Sequence, residues 1–191
     1  MKKFSVLFLA CLMSLSIQAQ IEHMKFMGIP IDGKISAFQK QIKKKGFSPD
    51  RKYNILPKEF FASSRPYIGY FAGEDNAHLL VSFNNKTKIV YEVKVIIDCI
   101  SENELLSKYT SFCSDYKNKY ETSIIKDLKD ASPSNGQGIS IFVPDKEQDT
   151  PIGLITILKE ANDIEKKYNL VIQYWDITNL RSSSLSDVDD L

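Results

Sequence analysis

The sequence contains few of the residues on which common catalytic and metal sites depend. It has three cysteines, two histidines and eight glycines among 191 residues. His23 and His78 stand apart and lack the ligand spacing of a zinc site. No serine lies in a G-x-S-x-G turn, and the sparse glycines form no phosphate-binding loop. We therefore expect a protein that is not an enzyme and that needs no cofactor or metal.

An excess of charge of one sign is also absent. The chain has 25 Lys and Arg against 24 Asp and Glu, which gives a formal net charge of +1. Domains that bind nucleic acid carry a basic patch or stripe, and a near-neutral balance disfavours one. The lysines within residues 40–45 are explained by a solvated helix face. Nucleic acid is therefore not expected as a partner.

The one long apolar run lies at the N-terminus and is typical of a secretory signal peptide. Lys2 and Lys3 form a positive start, an uncharged run extends from Phe4 to Ile17, and Ala19 is a small residue before the cut. The run of about 14 residues is shorter than the roughly 20 that span a bilayer as a helix. The sequence predicts cleavage after Ala19 and a periplasmic or secreted chain with no integral membrane segment.

An alternative interpretation of the same run is a lipoprotein signal. Cys11 follows Phe8-Leu9-Ala10, an arrangement similar to a lipobox. The apolar run continues for about six residues past Cys11, although a lipobox cysteine should end it. Cleavage after Ala19 is therefore the preferred interpretation.

Two stretches have the pattern of amphipathic helices. Apolar residues recur at helical spacing over residues 34–45, and Gly46 can end that helix in the left-handed conformation. Ser101 and Glu104 form a capping box that predicts the start of a second helix over residues 102–120.

Six further stretches have the alternation of half-buried strands. In the third stretch, the odd-numbered residues from 89 to 97 are expected to share the buried face. The six stretches are residues 67–72, 78–84, 88–98, 139–143, 152–159 and 168–177.

Each helix precedes three strands, which predicts an α+β fold: an antiparallel sheet with two helices packed on one face, built from divergent tandem α-β-β-β units. The expected organisation is a signal peptide at residues 1–19 and one α+β domain at 20–180. That domain would divide into subunits 20–100 and 101–180. Residues 181–191 form an acidic, Ser-rich tail, in which Leu185, Val188 and Leu191 could line a short docked helix.

This layout resembles the beta-lactamase-inhibitor-protein-like fold. The segment Lys25–Gly33, the Gly46-Phe47 helix end and the segment Tyr70–Gly73 are also similar to uncharacterised exported proteins of Gram-negative gut bacteria. The resemblance implies a protein that binds other proteins or serves envelope assembly. It brings no catalytic residues with it.

Cys99 and Cys113 are the cysteines that remain after cleavage, and we expect them to be unpaired. Cys99 precedes the second helix, and Cys113 lies roughly 16 Å along its axis. A disulfide requires Cα atoms within about 7 Å.

The remaining candidate for function is a set of aromatic residues. An aromatic patch could hold a partner protein or a sugar ring, although the same residues could simply cover the core. The leading hypothesis is an exported, non-enzymatic binding module that engages a protein partner in the cell envelope. The alternative is a small envelope hydrolase or carbohydrate-binding domain. The candidate partner-binding surface comprises Phe60, Phe61, Tyr67, Tyr70, Phe71 and Trp175.

Overall fold

The fold is α+β, with three helices and ten strands among the residues that the structure describes. The computed structural model describes residues 22–52, 63–121, 123–128, 137–145, 150–162 and 167–188. The elements are β1 (Lys25–Phe26), β2 (Ile29–Pro30), α1 (Ile35–Lys44), β3 (Ser48–Pro49), β4 (Ser64–Phe71), β5 (Glu74–Phe83), β6 (Val90–Cys99), α2 (Glu102–Lys119), β7 (Ile124–Leu128), β8 (Gln137–Pro144), β9 (Pro151–Asn162), β10 (Lys167–Asp176) and α3 (Ile177–Val188).

Eight strands form one antiparallel sheet, in the order β3-β4-β5-β6-β10-β9-β8-β7. The strands β1 and β2 form a separate hairpin. The centre of the sheet is the pair of β6 and β10, where Ile172 lies opposite Val95. This pair joins strands that are far apart in the chain.

The predicted first helix is confirmed as α1, together with its end. Gly46 has φ of +94°, a conformation that glycine adopts without strain. The Phe47 N–H donates to the Ile42 carbonyl at 3.3 Å, and the Gly46 N–H donates to the Lys43 carbonyl at 3.1 Å. This pair of bonds is a Schellman motif, and it buries Phe47 beside the helix.

The predicted second helix is confirmed as α2, and its cap extends one residue further than expected. The Ser101 hydroxyl accepts from the Glu104 N–H at 3.2 Å. The Glu104 carboxylate accepts from the Ile100 N–H at 2.8 Å, rather than from the N–H of Ser101 itself. Both side chains therefore satisfy backbone donors at this helix start.

All six predicted strand stretches correspond to long strands of the sheet, whereas the short strands, β7 and the start of α3 at Ile177 were not predicted. The two-residue strands are too short to show any alternation, and β7 has mostly exposed side chains. The chain turns into α3 because the Asp176 carboxylate accepts from the Asn179 N–H at 2.8 Å and so caps the helix. The expected domain boundary at residue 180 therefore falls inside α3.

One expectation for the third stretch was wrong: Tyr91 does not share the buried face of its strand. The register of β5 and β6 shifts at Ser82 and Phe83, which inserts one extra residue into β6. Val90 is fully buried in the core, whereas Tyr91 stacks on Trp175 with ring centroids 6.4 Å apart. A β-bulge redirects a side chain in this way without breaking the strand.

The hydrophobic core lies against one face of the sheet. Val95, Ile157 and Ile172 belong to this core face, and each is almost fully buried. The buried residues of α1 and α2 belong to the same cluster, and α2 contacts β6, β9 and β10. Aromatic rings pack together inside this core: the centroids of the Phe26 and Phe71 rings lie 5.7 Å apart.

The opposite face of the sheet, here called the far face, carries side chains that lie outside the core cluster. Ile96, Val171 and Leu158 are neighbours on it, on β6, β10 and β9. Val171 is buried, whereas Ile96 and Leu158 are half-buried. The two faces therefore differ in what covers them within the described residues.

Candidate functional site

A row of hydrogen-bonded polar side chains crosses five neighbouring strands of the far face. Ser64 and Ser82 pair at 3.3 Å, and Ser82 donates to the Glu92 carboxylate at 2.9 Å. On the other side, Gln173 donates to Glu92 at 3.0 Å, and Thr156 donates to Gln173 at 2.9 Å. These residues are called the polar row. Two donors therefore converge on Glu92, as a carboxylate requires.

Glu92 is 6% exposed and lies at the centre of the polar row. Among the described residues, no Lys, Arg or His nitrogen lies within 4.0 Å of its carboxylate. A buried carboxylate is costly to desolvate unless cations or several hydrogen bonds compensate it. Among the described residues, the Glu92 carboxylate is therefore stabilised by hydrogen bonds from neutral donors alone.

A second feature lies at the end of the sheet where β4 and β6 finish and α2 begins. Ile100 is 94% exposed, Tyr70 57% and Leu106 50%. The three residues are brought to one end because β4, β5 and β6 are neighbours. This end of the sheet, marked by Tyr70, Ile100 and Leu106, is called the apolar end.

The backbone at the apolar end is held by side-chain contacts. The bond from the Ile100 N–H lowers the pKa of the Glu104 carboxyl. The Lys108 ammonium contacts Glu74 at the start of β5, and it lies 3.3 Å from Glu104. The β4–β5 hairpin and the start of α2 are therefore tied together around an exposed isoleucine.

A small cavity of about 220 Å³ lies beside the apolar end. Typical small-molecule pockets enclose roughly 300–1,000 Å³, so this cavity suits a single side chain better than a cofactor. It is lined by Glu102, Leu105, Leu106, Gln137, Lys159 and Ala161.

The exposed charges around the apolar end are mostly negative. Asp75 and Asp98 are exposed on β5 and β6, Glu102 is exposed at the first turn of α2, and Glu160 is exposed on β9. Lys167, at the start of β10, is the exposed lysine among the described residues of this end. The rim therefore favours contact with positive charge.

The structure divides the predicted aromatic surface. Tyr67 and Phe71 are buried in the core, with 2% and 3% exposure. Tyr70 lies between Gly69 and Phe71 in β4 and is exposed, because alternate residues of a strand point to opposite faces. Trp175 is half-buried on the far face.

The aromatic set therefore does not form one surface. Phe60 and Phe61 lie outside the described residues, as do Cys11 and the expected signal peptide 1–19. Tyr67 and Phe71 belong to the core cluster, and the Phe71 ring stacks on Phe112 of α2 with ring centroids 6.3 Å apart.

Cys99 and Cys113 are free and buried. Burial raises the pKa of each thiol, which disfavours the thiolate that nucleophilic chemistry uses. Within the described residues, no group of three or more His, Cys, Asp or Glu side chains is arranged to hold a metal ion. His23 lies 2.9 Å from the fully buried Asp176, and His78 lies 2.9 Å from Asp50.

Ile100 and Glu92 are the two features that sequence reasoning missed. Ile100 stands immediately before the Ser101 cap, and an apolar residue between a strand end and a helix cap was the available signal. Glu92 alternates with apolar neighbours as any exposed strand residue would. Its burial depends on Ser82 and Gln173, which come from other strands.

Over the described part of the chain, no helix combines the length and the apolar character needed to cross a membrane. Comparison with family models, with curated proteins and with solved structures finds no match to this chain.

Proposed function

We propose that this chain is an exported, non-enzymatic binding module that engages another protein in the periplasm or outside the cell. The observation that carries the proposal is Ile100, an almost fully exposed isoleucine on a backbone held by Glu104 and followed by the Ser101 cap. A rigid apolar side chain loses little conformational entropy on binding. Such anchors dominate the binding energy of many protein interfaces.

The chemistry of the apolar end favours a partner with an apolar contact surrounded by basic residues. Ile100, Leu106 and the neighbouring cavity provide apolar contact area and a recess for one side chain. Asp98 and Glu102 supply negative charge on either side of Ile100. Charges at the rim of an interface mainly raise the association rate and set specificity.

Export and organisation are part of the same proposal. The N-terminal pattern supports cleavage after Ala19 and a location in the periplasm or outside the cell. We further infer that α1 and α2 cover the core face together and that residues 20–100 and 101–180 are divergent tandem units. The support is the strand order, in which β6, β5, β4 and β3 on one side correspond to β10, β9, β8 and β7 on the other. The proposal also includes the beta-lactamase-inhibitor-protein-like fold, which the layout of the sequence resembles.

The test is retention of a partner by the tagged full chain after export. Wild-type protein is incubated with native envelope extract, and the retained proteins are quantified by mass spectrometry. We expect one stoichiometric partner, which the Ile100→Asp variant loses by at least about tenfold, because a charged side chain replaces the apolar anchor. Ile100 is so exposed that its replacement leaves the core intact.

Ile124→Asp is the matched control, because Ile124 is 65% exposed on β7 at the other end of the sheet. It should retain the partner as wild type does. Equal retention by wild type and Ile100→Asp would refute the proposed surface. Added salt should weaken the association, because it screens the attraction between the acidic rim of this chain and the basic residues proposed for the partner.

A further inference from the structure

We propose that Tyr91, Glu92 and Trp175 form a second binding site on the far face, and that it accepts a guanidinium group. The group could belong to an arginine of a partner protein or to a small guanidinium compound. This site is separate from the apolar end, because Glu92 lies near the start of β6 and Ile100 follows its last residue, about eight residues or roughly 27 Å further along an extended chain.

The carboxylate is the first argument. Glu92 is buried and has no cationic partner among the described residues, yet each of its oxygens accepts a hydrogen bond from a neutral donor, Ser82 on one oxygen and Gln173 on the other. Each carboxylate oxygen can accept a further bond. A cation placed there would meet a carboxylate that is already oriented and largely desolvated.

The aromatic pair is the second argument, and it is independent of the first. The bulge in β6 turns Tyr91 to the face of Glu92, and Trp175 lies directly opposite Glu92 on β10. The rings of Tyr91 and Trp175 are nearly parallel, with an interplanar angle of 18°. Bulges are found where a side chain is re-aimed for function, and aromatic faces attract cations.

The preference for guanidinium over ammonium follows from shape. A guanidinium is planar, donates in parallel to both oxygens of a carboxylate and stacks on aromatic rings. An ammonium is a compact, strongly hydrated charge that cannot stack. A lysine derivative should therefore bind more weakly than an arginine derivative.

Trp175 is the only tryptophan of the chain, so intrinsic fluorescence reports on this site directly. The exported protein is titrated with N-acetyl-arginine amide, N-acetyl-lysine amide and N-acetyl-citrulline amide. The citrulline compound has nearly the shape of the arginine compound without its charge. We expect saturable changes that are strongest with arginine, weaker with lysine and absent with citrulline. Added salt should weaken the response to arginine.

Glu92→Gln should reduce the affinity for the arginine compound by about tenfold or more, because the charge-assisted pair is lost. Its melting temperature should equal or exceed that of wild type, because a buried charge is removed. Asp127→Asn, which neutralises an exposed carboxylate on β7 outside both proposed binding surfaces, should titrate as wild type does. Tyr91→Leu should weaken binding several-fold through loss of stacking, and it serves as a second variant should Glu92→Gln fold poorly.

An equal response to the citrulline compound would overturn the proposal, as would wild-type affinity in both Glu92→Gln and Tyr91→Leu. A lower melting temperature of Glu92→Gln with unchanged arginine binding would show that Glu92 only holds the polar row together. A short peptide with one central arginine distinguishes the two sources. Tighter binding of the peptide than of the amide indicates a partner protein, and equal binding indicates a small guanidinium compound.

Discussion

The two faces of the sheet use the same strands for opposite purposes. On β9, Ile157 is fully buried in the core, whereas its neighbour Leu158 is half-buried on the far face. On β6, Val93 and Val95 enter the core, whereas Glu92 joins a row of hydroxyl and amide groups. Apolar burial therefore organises the core face, whereas the far face combines apolar side chains with a row of directional hydrogen bonds.

This difference indicates which face of the sheet can hold residues that bind a partner or ligand. Side chains of the core face are closely packed in one buried cluster, so that changes of volume are costly there. The far face holds Glu92 and Trp175 in place without requiring them for core packing. A sheet face of this kind can change its polar residues and keep its fold.

The largest expected effect tests the contrast directly within β9. Ile157→Ala should lower the free energy of unfolding by about 2–5 kcal/mol, because it leaves a cavity in the core. Leu158→Ala should cost less than about 2 kcal/mol, because its side chain already contacts solvent. Both values come from chemical denaturation monitored by circular dichroism. Equal costs for the two variants would mean that the far face is packed as tightly as the core face.

The next effect concerns the polar contact inside the core. The hydroxyls of Tyr116 and Tyr174 hydrogen-bond to each other while buried. Tyr116→Phe should lower the free energy of unfolding by about 1–3 kcal/mol, because the Tyr174 hydroxyl is left buried without this partner. Tyr70→Phe is the control, since Tyr70 is exposed and its change should cost almost nothing.

The same tyrosine predicts a pH dependence. Burial raises the pKa of Tyr116 from 10.0 to about 12, so the folded state retains a proton that the unfolded state releases. Its contribution to stability is fully present below pH 10 and is lost as the pH rises towards about 12. Thermal melts across this range should show a smaller alkaline loss in Tyr116→Phe than in wild type. An identical pH profile for both proteins would contradict this assignment.

The smallest effect is expected in the polar row. Thr156→Val removes the hydroxyl that donates to Gln173 and should cost about 1 kcal/mol, the usual net value of such a bond. Denaturant unfolding again gives the measurement. A cost as large as that of Ile157→Ala would show that the polar row acts as a cooperative network, and the contrast between the faces would then be one of chemistry only.

The helices and strands that could be predicted are those marked by signals within a short stretch of the sequence. The Ser101 cap and the Gly46 end mark their helices because each acts through hydrogen bonds within a few residues of the chain. The long strands follow from alternation for the same reason. The aromatic set divided because alternation identifies two faces of β4 without saying which one lies against the core, and so Phe71 is buried and Tyr70 exposed.

Non-local pairing explains the rest. The bulge at Tyr91 arises from the register between β5 and β6, and its stacking partner Trp175 comes from a strand that is distant in the chain. Glu92 receives its donors from two other strands. No window of the sequence contains these relations.

The amino-acid sequence alone specified α1 and α2, the signals that begin or end them, and the alternating faces of the long strands, because these features depend on contacts between near neighbours. The joining of β6 to β10, the end at which Ile100 is left exposed and the burial of Glu92 were decided by tertiary structure alone. These features depend on which distant strands meet and in which register, and the physical chemistry of a short segment does not contain that information.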